Sequence, residues 1–262
     1  MNKTGNRIKL FIKYRDLFIQ LVEKDLKLKY RRSFLGYLWS VLNPLMIMAI
    51  MVLVFQHMFR FSIENYPVYV LSGQVCFNFL SEATNQAMVS ITGNAALLKK
   101  TYVPKYIFTL SKVTSSCVNL LFSLGALLIV LLICKVQITV YMLWLPAVLL
   151  QLYFFCLGIG LMLAAVNVFF RDIQYIYGAF LTAWMYMTPL FYPMDQIPEQ
   201  VQWIIKHLNP LYFYVGQFRD VMLYQQMPGN LILLAGLAAS ALALAVGSAV
   251  FLKAKNSFIL YI

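Results

Sequence analysis

The chain reads as an all-α, polytopic membrane protein. Three observations say so: six long apolar stretches, the scarcity of charge inside them, and a strongly basic head in front of them. Of its 262 residues 62% are hydrophobic and 11% charged, far from the balance of a soluble globular domain. The stretches run over 34–58, 66–91, 107–134, 140–170, 174–192 and 230–252. Each is long enough to cross a bilayer as a transmembrane helix, because about 20 residues rising about 1.5 Å apiece cover about 30 Å of hydrocarbon. Little chain remains for another folded unit, so residues 1–262 are expected to form a single membrane domain. Its parts are a cytoplasmic interface helix within 1–32, a six-span core over 34–252 and an extracytoplasmic segment over 193–229. The head is too charged for a secretory signal peptide and is expected to stay attached.

Charge placement predicts orientation. Lys3, Arg7, Lys9, Lys13, Arg15, Lys24, Lys27, Lys29, Arg31 and Arg32 precede the first stretch; Lys99, Lys100, Lys105 and Lys112 follow the second; Arg171 follows the fourth, and Lys253 and Lys255 the sixth. These place 17 of the 21 basic residues on one side and leave Arg60, Lys135, Lys206 and Arg219 for the other. The positive-inside rule then puts both termini in the cytoplasm. Orientation and contact with anionic headgroups account for the net charge of +12, which is therefore no argument for nucleic-acid binding. Cys76, Cys117, Cys134 and Cys156 are isolated in or at the ends of apolar stretches, with no spacing suited to a metal or a redox pair, and read as small buried hydrophobes.

Within the head, residues 13–30 place Tyr14, Leu17, Phe18, Leu21, Val22 and Leu28 on one helical face, with Arg15, Asp16, Gln20, Glu23 and Lys27 opposite. That is an N-terminal amphipathic helix lying along the membrane interface, although Asp25 interrupts its apolar face and calls for a partner there. At the entry to the first span, Arg31 and Arg32 mark the boundary, Gly36 permits close helix approach, and Tyr37 and Trp39 suit the interfacial zone. The second span carries a polar stripe: Gln74, Asn78, Glu82 and Asn85 recur on one face, with Ser81 and Gln86 beside it. Polar groups facing lipid are costly, so the stripe fits two roles, a watery cavity lining or interhelical hydrogen bonding. Pro104 and the lysines from Lys99 to Lys112 mark a short cytoplasmic helix or turn, and Arg171–Asp172 a second turn in which the two charges suit local pairing.

Residues 193–229 are placed outside the membrane yet are rich in apolar side chains. Ile197, Val201, Ile204, Ile205 and Leu208 fit a short amphipathic helix; Asn209 and Pro210 break it, and 211–224 begin another. Two short re-entrant extracytoplasmic helices fit this pattern. The aromatic residues Tyr212, Phe213, Tyr214, Phe218 and Tyr224 suit either a headgroup belt or sugar-stacking surfaces. In the last span Gly236, Ser240, Ala243 and Gly247 form a close-packing face.

Three segments taken together, YRRSFLGYLWSVLNPL (30–45), NVFFRDIQYI (167–176) and NPLYFYVGQFRDVMLY (209–224), resemble the ABC transporter permeases of the type 2 exporter family, in the branch that exports polysaccharides such as O-antigen and capsule, and teichoic acids. Span number, order and length agree with that family. The resemblance implies that residues 95–108 are a coupling helix docking on an ABC ATPase, with Lys99, Lys100, Tyr102, Pro104, Lys105, Arg171 and Asp172 at the contact. It implies a translocation pathway near Tyr37, Trp39, Gln74, Asn78, Glu82 and Asn85, and an extracytoplasmic gate with Asn209, Pro210, Tyr212, Tyr214 and Phe218. The implied assembly is two copies of this chain with two ATPase subunits in a bacterial cytoplasmic (inner) membrane, carrying an undecaprenyl-linked polysaccharide.

No catalytic or metal-binding constellation is legible. There is no GxxxxGK[ST] phosphate loop and no GxSxG elbow, and His57 and His207 lie far apart in the chain. The chain is thus expected to be no enzyme and to hold no cofactor of its own; ATP and Mg would be bound by the partner ATPase. Three alternatives stand beside the polysaccharide reading: a teichoic-acid exporter, a drug or small-lipid exporter of the same superfamily, and a polytopic membrane transferase. The last would need clustered acids or histidines, where this chain offers Glu82 and scattered loop acids.

Overall fold

The computed structural model describes residues 12–29, 31, 33–58 and 63–262, and these form helices without a strand. Lys3, Arg7, Lys9, Tyr30, Arg32 and Arg60 lie outside the described residues. The helices are α1 (Arg15–Lys29), α2 (Trp39–Met51), α3 (Tyr66–Met88), α4 (Ala95–Lys100), α5 (Tyr106–Ile133), α6 (Leu145–Phe169), α7 (Ile173–Met187), α8 (Glu199–Leu208), α9 (Pro210–Met222), α10 (Asn230–Ala254) and α11 (Phe258–Tyr261).

Among the described residues four helical stretches are long and apolar enough to cross a membrane: Gly36–Phe55, Tyr106–Ile133, Val140–Phe169 and Asn230–Ala254. They match four of the six expected spans to within a few residues. The other two expected spans, 66–91 and 174–192, correspond to α3 and α7. Helix α3 has the length, 23 residues, but its stripe of amide, hydroxyl and carboxyl groups lowers its hydropathy. Helix α7 has 15 residues, about 22 Å of helix, because the chain turns extended at Thr188 ahead of Pro189.

Helix α6 is the hub and packs on α10, α3, α5 and α9. Its contact with α10 is backbone to backbone. A Cβ added to Gly158 would collide with the Ala243 carbonyl, and one added to Gly247 with the Gly158 carbonyl. Gly236, Ser240 and Gly247, expected on a close-packing face, are indeed among the few buried residues of α10. By contrast α7 stands at the periphery, with only Tyr177 and Leu181 buried.

Helix α1 lies against α5, burying Leu21 with Leu17 and Phe18 packed beside it. Its acidic Asp16 sits in the first turn and Lys27 and Lys29 in the last, matching the helix dipole. Within the chain Gly36 makes no close approach: nothing lies within 4 Å of where its Cβ would be. It has φ +50° instead, and supplies the left-handed turn that redirects the chain from α1 into α2. Cys76 and Cys156 are buried, Cys117 and Cys134 partly so, and all four are free thiols.

Candidate functional site

Three polar constructions stand out from the apolar bundle. The first lies beneath α1, where its last two turns meet α3 and α5. Lys112 Nζ donates to Asp25 Oδ1 at 2.8 Å, which resolves the acid that interrupted the apolar face of α1. Lys29 Nζ reaches Glu82 Oε1 at 2.8 Å, and Asn119 Nδ2 donates to the same oxygen at 2.7 Å. Between these pairs is a cavity of about 490 Å³, lined also by Gln86, Ser115 and Ser116.

The polar stripe of α3 is therefore divided among environments. Gln74 is buried in the bundle and its Oε1 has no hydrogen-bond partner. Asn78 is exposed, Glu82 is held by α1 and α5, and Asn85 donates back to the Ser81 carbonyl at 2.9 Å. One face of a helix can meet different neighbours at each height, and spacing alone does not say which neighbour stands where. Tyr37 and Trp39 are exposed at the start of α2, where Tyr37 meets the Phe122 ring at 5.8 Å.

The second construction is a clamp on the bent, non-helical chain between α7 and α8. Arg219 Nη1 donates to the Pro189 carbonyl at 2.9 Å, and Nη2 to the Leu190 and Tyr69 carbonyls, each at 3.1 Å. Its guanidinium stacks 3.5 Å from the Tyr69 ring centroid. Tyr66 Oη donates to the Phe191 carbonyl at 2.6 Å, and Tyr69 Oη sits at 2.9 Å from that of Tyr192. Gly73 makes the space, since a Cβ there would lie 2.9 Å from Arg219 Nη2. A non-helical stretch buried inside the protein is tolerated when its carbonyls are met in this way. Arg219 entered the sequence reading only as an outer basic residue; a lone arginine inside an apolar-rich segment was the available signal.

Of the expected gate residues, Asn209 is buried and joins three elements. Its Oδ1 accepts from Leu211 N at 3.1 Å, capping α9, and from Trp184 Nε1 at 2.7 Å, while Nδ2 donates to Thr188 Oγ1 at 2.9 Å. Pro210 opens α9 at its first position. Tyr214 and Phe218 are fully buried, Tyr214 in a polar network with Ser240 Oγ at 2.7 Å and the Gly236 carbonyl at 3.0 Å. Tyr212 is half-buried and Tyr224 exposed. In this conformation Tyr214 and Phe218 offer no ring face to an external sugar.

The third construction is the face expected to be cytoplasmic, where the turns after α4 and α6 lie. Lys99, Lys100, Arg171 and Asp172 are exposed and Tyr102 is 95% exposed. Arg171 and Asp172 do not pair with each other as expected from their adjacency; both point into solvent, where an ion pair gains little. Pro104 is half-buried. Lys105 Nζ donates to the Lys255 carbonyl and lies 5.4 Å from the Phe258 ring centroid. Burial, then the neighbouring Lys255 charge, pushes the Lys105 ammonium below the usual lysine range. Phe258 in turn touches Phe169 and Phe251 at 6.1 and 5.3 Å. The C-terminal α11 thus joins the turn after α4 to the turn after α6. The Tyr14 hydroxyl, donating to the Tyr102 carbonyl at 2.9 Å, adds the start of the interface helix to the same face.

A further cavity of about 700 Å³ between α6, α7, α8, α9 and α10 is apolar, walled by residues such as Phe155, Met162, Phe180, Leu242 and Val246. Among the described residues no group of three His, Cys, Asp or Glu side chains converges as metal ligands would.

The sequence pattern of the family described as ABC-2 type transporter matches residues 16–223. The chain is 31% identical over 246 residues to the O-antigen export system permease protein RfbA of Myxococcus xanthus, covering 94% of this chain and 95% of that one. It is 29% identical over 244 residues to the protein of the same name from Klebsiella pneumoniae, covering 93% of each. With the polysialic acid transport protein KpsM of Escherichia coli it shares 24% identity over 214 residues, 79% of each chain.

Proposed function

This chain belongs to the ABC-2 type transporter family, and on that footing we propose that it is the permease subunit of an ATP-driven exporter of a polyprenyl-linked surface polysaccharide. Two copies would work with two ABC ATPase subunits in a bacterial inner membrane, with both termini in the cytoplasm. The observation that carries the reading is likeness along nearly the whole chain to permeases of O-antigen export.

The geometry supports it in two ways. The exposed Lys99, Lys100, Tyr102, Arg171 and Asp172 sit on one face, bridged by α11, where a docked ATPase would push on both connecting turns at once. Helices α3 and α7 complete six spans in this reading. Much of α3 is buried by its neighbours, so its amides need not meet lipid. Helix α7 gives about 22 Å, short of the roughly 30 Å of hydrocarbon, and in this reading the clamped residues 189–192 carry the chain onward. Helices α8 and α9 then serve as the re-entrant pair of the gate.

Affinity purification of the tagged chain from its native membrane in mild detergent, with mass spectrometry of what accompanies it, tests the assembly. A stoichiometric ATPase is expected, and deletion of the chain should strip the cell of a surface glycan while the lipid-linked polymer accumulates inside. Recovery of the chain alone, with surface glycan unchanged on deletion, would discard the reading.

A further inference from the structure

The cavity beneath α1 has a charge balance that narrows its occupant. Its two lysines and two carboxylates form two ion pairs, Lys29 with Glu82 and Lys112 with Asp25, each at 2.8 Å. The lining therefore carries no excess of either sign, and a phosphate entering it would have to compete with a carboxylate for each ammonium. Around these pairs are Gln86, Ser115, Ser116 and Asn119, a mixture of donors and acceptors, and Leu26 and Leu28 form an apolar wall. At about 490 Å³ it falls within the usual size of a small-ligand pocket, roughly 300–1,000 Å³.

One group in the lining is unsatisfied. Ser116 is 2% exposed, and its Oγ has no hydrogen-bond partner. A buried hydroxyl left without a bond is destabilising, a penalty relieved when a polar ligand supplies the bond. A sugar ring fits all of these features: its hydroxyls both donate and accept, it carries no charge, and its C–H face packs on leucine. A phosphate group, which only accepts, answers the cavity less well.

We propose that this cavity binds a single neutral sugar residue of a lipid-anchored glycan, held by Ser116, Asn119, Glu82 and Lys29 at the point where α1 ends. The kind of glycan rests on the export reading above; the preference for hydroxyls over phosphate follows from the lining alone.

The test uses the full chain in lipid nanodiscs, with Cys117 and Cys134 changed to serine and Ser116→Cys introduced, and follows the rate of labelling by a methanethiosulfonate reagent. A monoglucosyl diacylglycerol should slow labelling at least about fivefold, while phosphatidic acid with the same acyl chains should not. No protection by the glycosyl lipid, or equal protection by phosphatidic acid, overturns the proposal. Because cysteine itself alters the site, Ser116→Ala provides an independent measurement. It should leave the melting temperature unchanged, since no bond is lost on removing an unpartnered hydroxyl. It should also weaken retention of the glycosyl lipid in native mass spectrometry about 3- to 10-fold, the worth of one hydrogen bond. Unchanged retention defeats the assignment. Neither measurement involves ATP or export, so protection in a chain that exports nothing would keep the site and remove only the transport reading.

Discussion

A guanidinium buried with no carboxylate beside it must be compensated by dipoles, and Arg219 finds them in three carbonyls and the face of Tyr69. The planar fork does what an ammonium cannot, reaching several carbonyls in one plane while stacking on a ring. Arg219→Lys is therefore expected to lower the thermal midpoint in detergent nearly as far as Arg219→Met, each leaving buried carbonyls unmet at about 1–3 kcal/mol apiece. A lysine variant as stable as the parent would show that charge alone is required. Glu82 is a weaker case, since its pairing with Lys29 is partly exposed and worth about 1 kcal/mol at most. Glu82→Leu should raise amide hydrogen exchange in the last two turns of α1 about fivefold, the equivalent of that loss, and unaltered exchange would show that the pair does not hold the helix down. The sequence marked Glu82 as out of place in a span. It held no sign that Lys29, 53 positions away, is the partner.

At the scale of elements, the contact of α6 with α10 depends on the absence of side chains at Gly158 and Gly247. Gly247→Val should force the helices apart and cost at least about 1–3 kcal/mol of overpacking strain, read as a lower melting temperature and a shorter lifetime in detergent. A variant that melts like the parent would mean the helices do not approach so closely. The short α4 and the turn that follows carry a different expectation. Lys99→Glu with Lys100→Glu reverses two exposed charges away from the core, so membrane abundance should be retained while surface glycan is lost. Normal export by that variant would defeat the coupling role. Most helix positions and the close-packing face of α10 were legible because periodicity and small residues are local properties, whereas its partner α6 was not. The contribution of α11 was not legible, since Phe258 acquires its role only through Phe169 and Lys105, brought near by the fold.

For the whole molecule the testable quantity is topology. Six spans with both termini inside place Asp195, between α7 and α8, outside the membrane and Lys255 inside. With the native cysteines removed, Asp195→Cys should react with a membrane-impermeant maleimide on intact cells, and Lys255→Cys only after permeabilisation. The reverse pattern would invert the orientation, and labelling of both on intact cells would mean that α10 is not the single crossing between them, which defeats the six-span count.

The sequence by itself determined that this is a helical membrane protein, where four of its apolar helices lie to within a few residues, and which three segments carry the family resemblance. Those follow from composition and from spacing along one chain, quantities that need no knowledge of neighbours. Only the tertiary structure decided how the polar residues are used: that Asp25 answers Lys112, that Glu82 answers Lys29 and Asn119, that Tyr214 and Phe218 turn inward, and that Arg219 holds a non-helical stretch of chain. A polar group in an apolar setting must find a partner, and the chain states that need locally. The partner is supplied from a distance, by whichever helix the packing of glycines and side chains brings alongside.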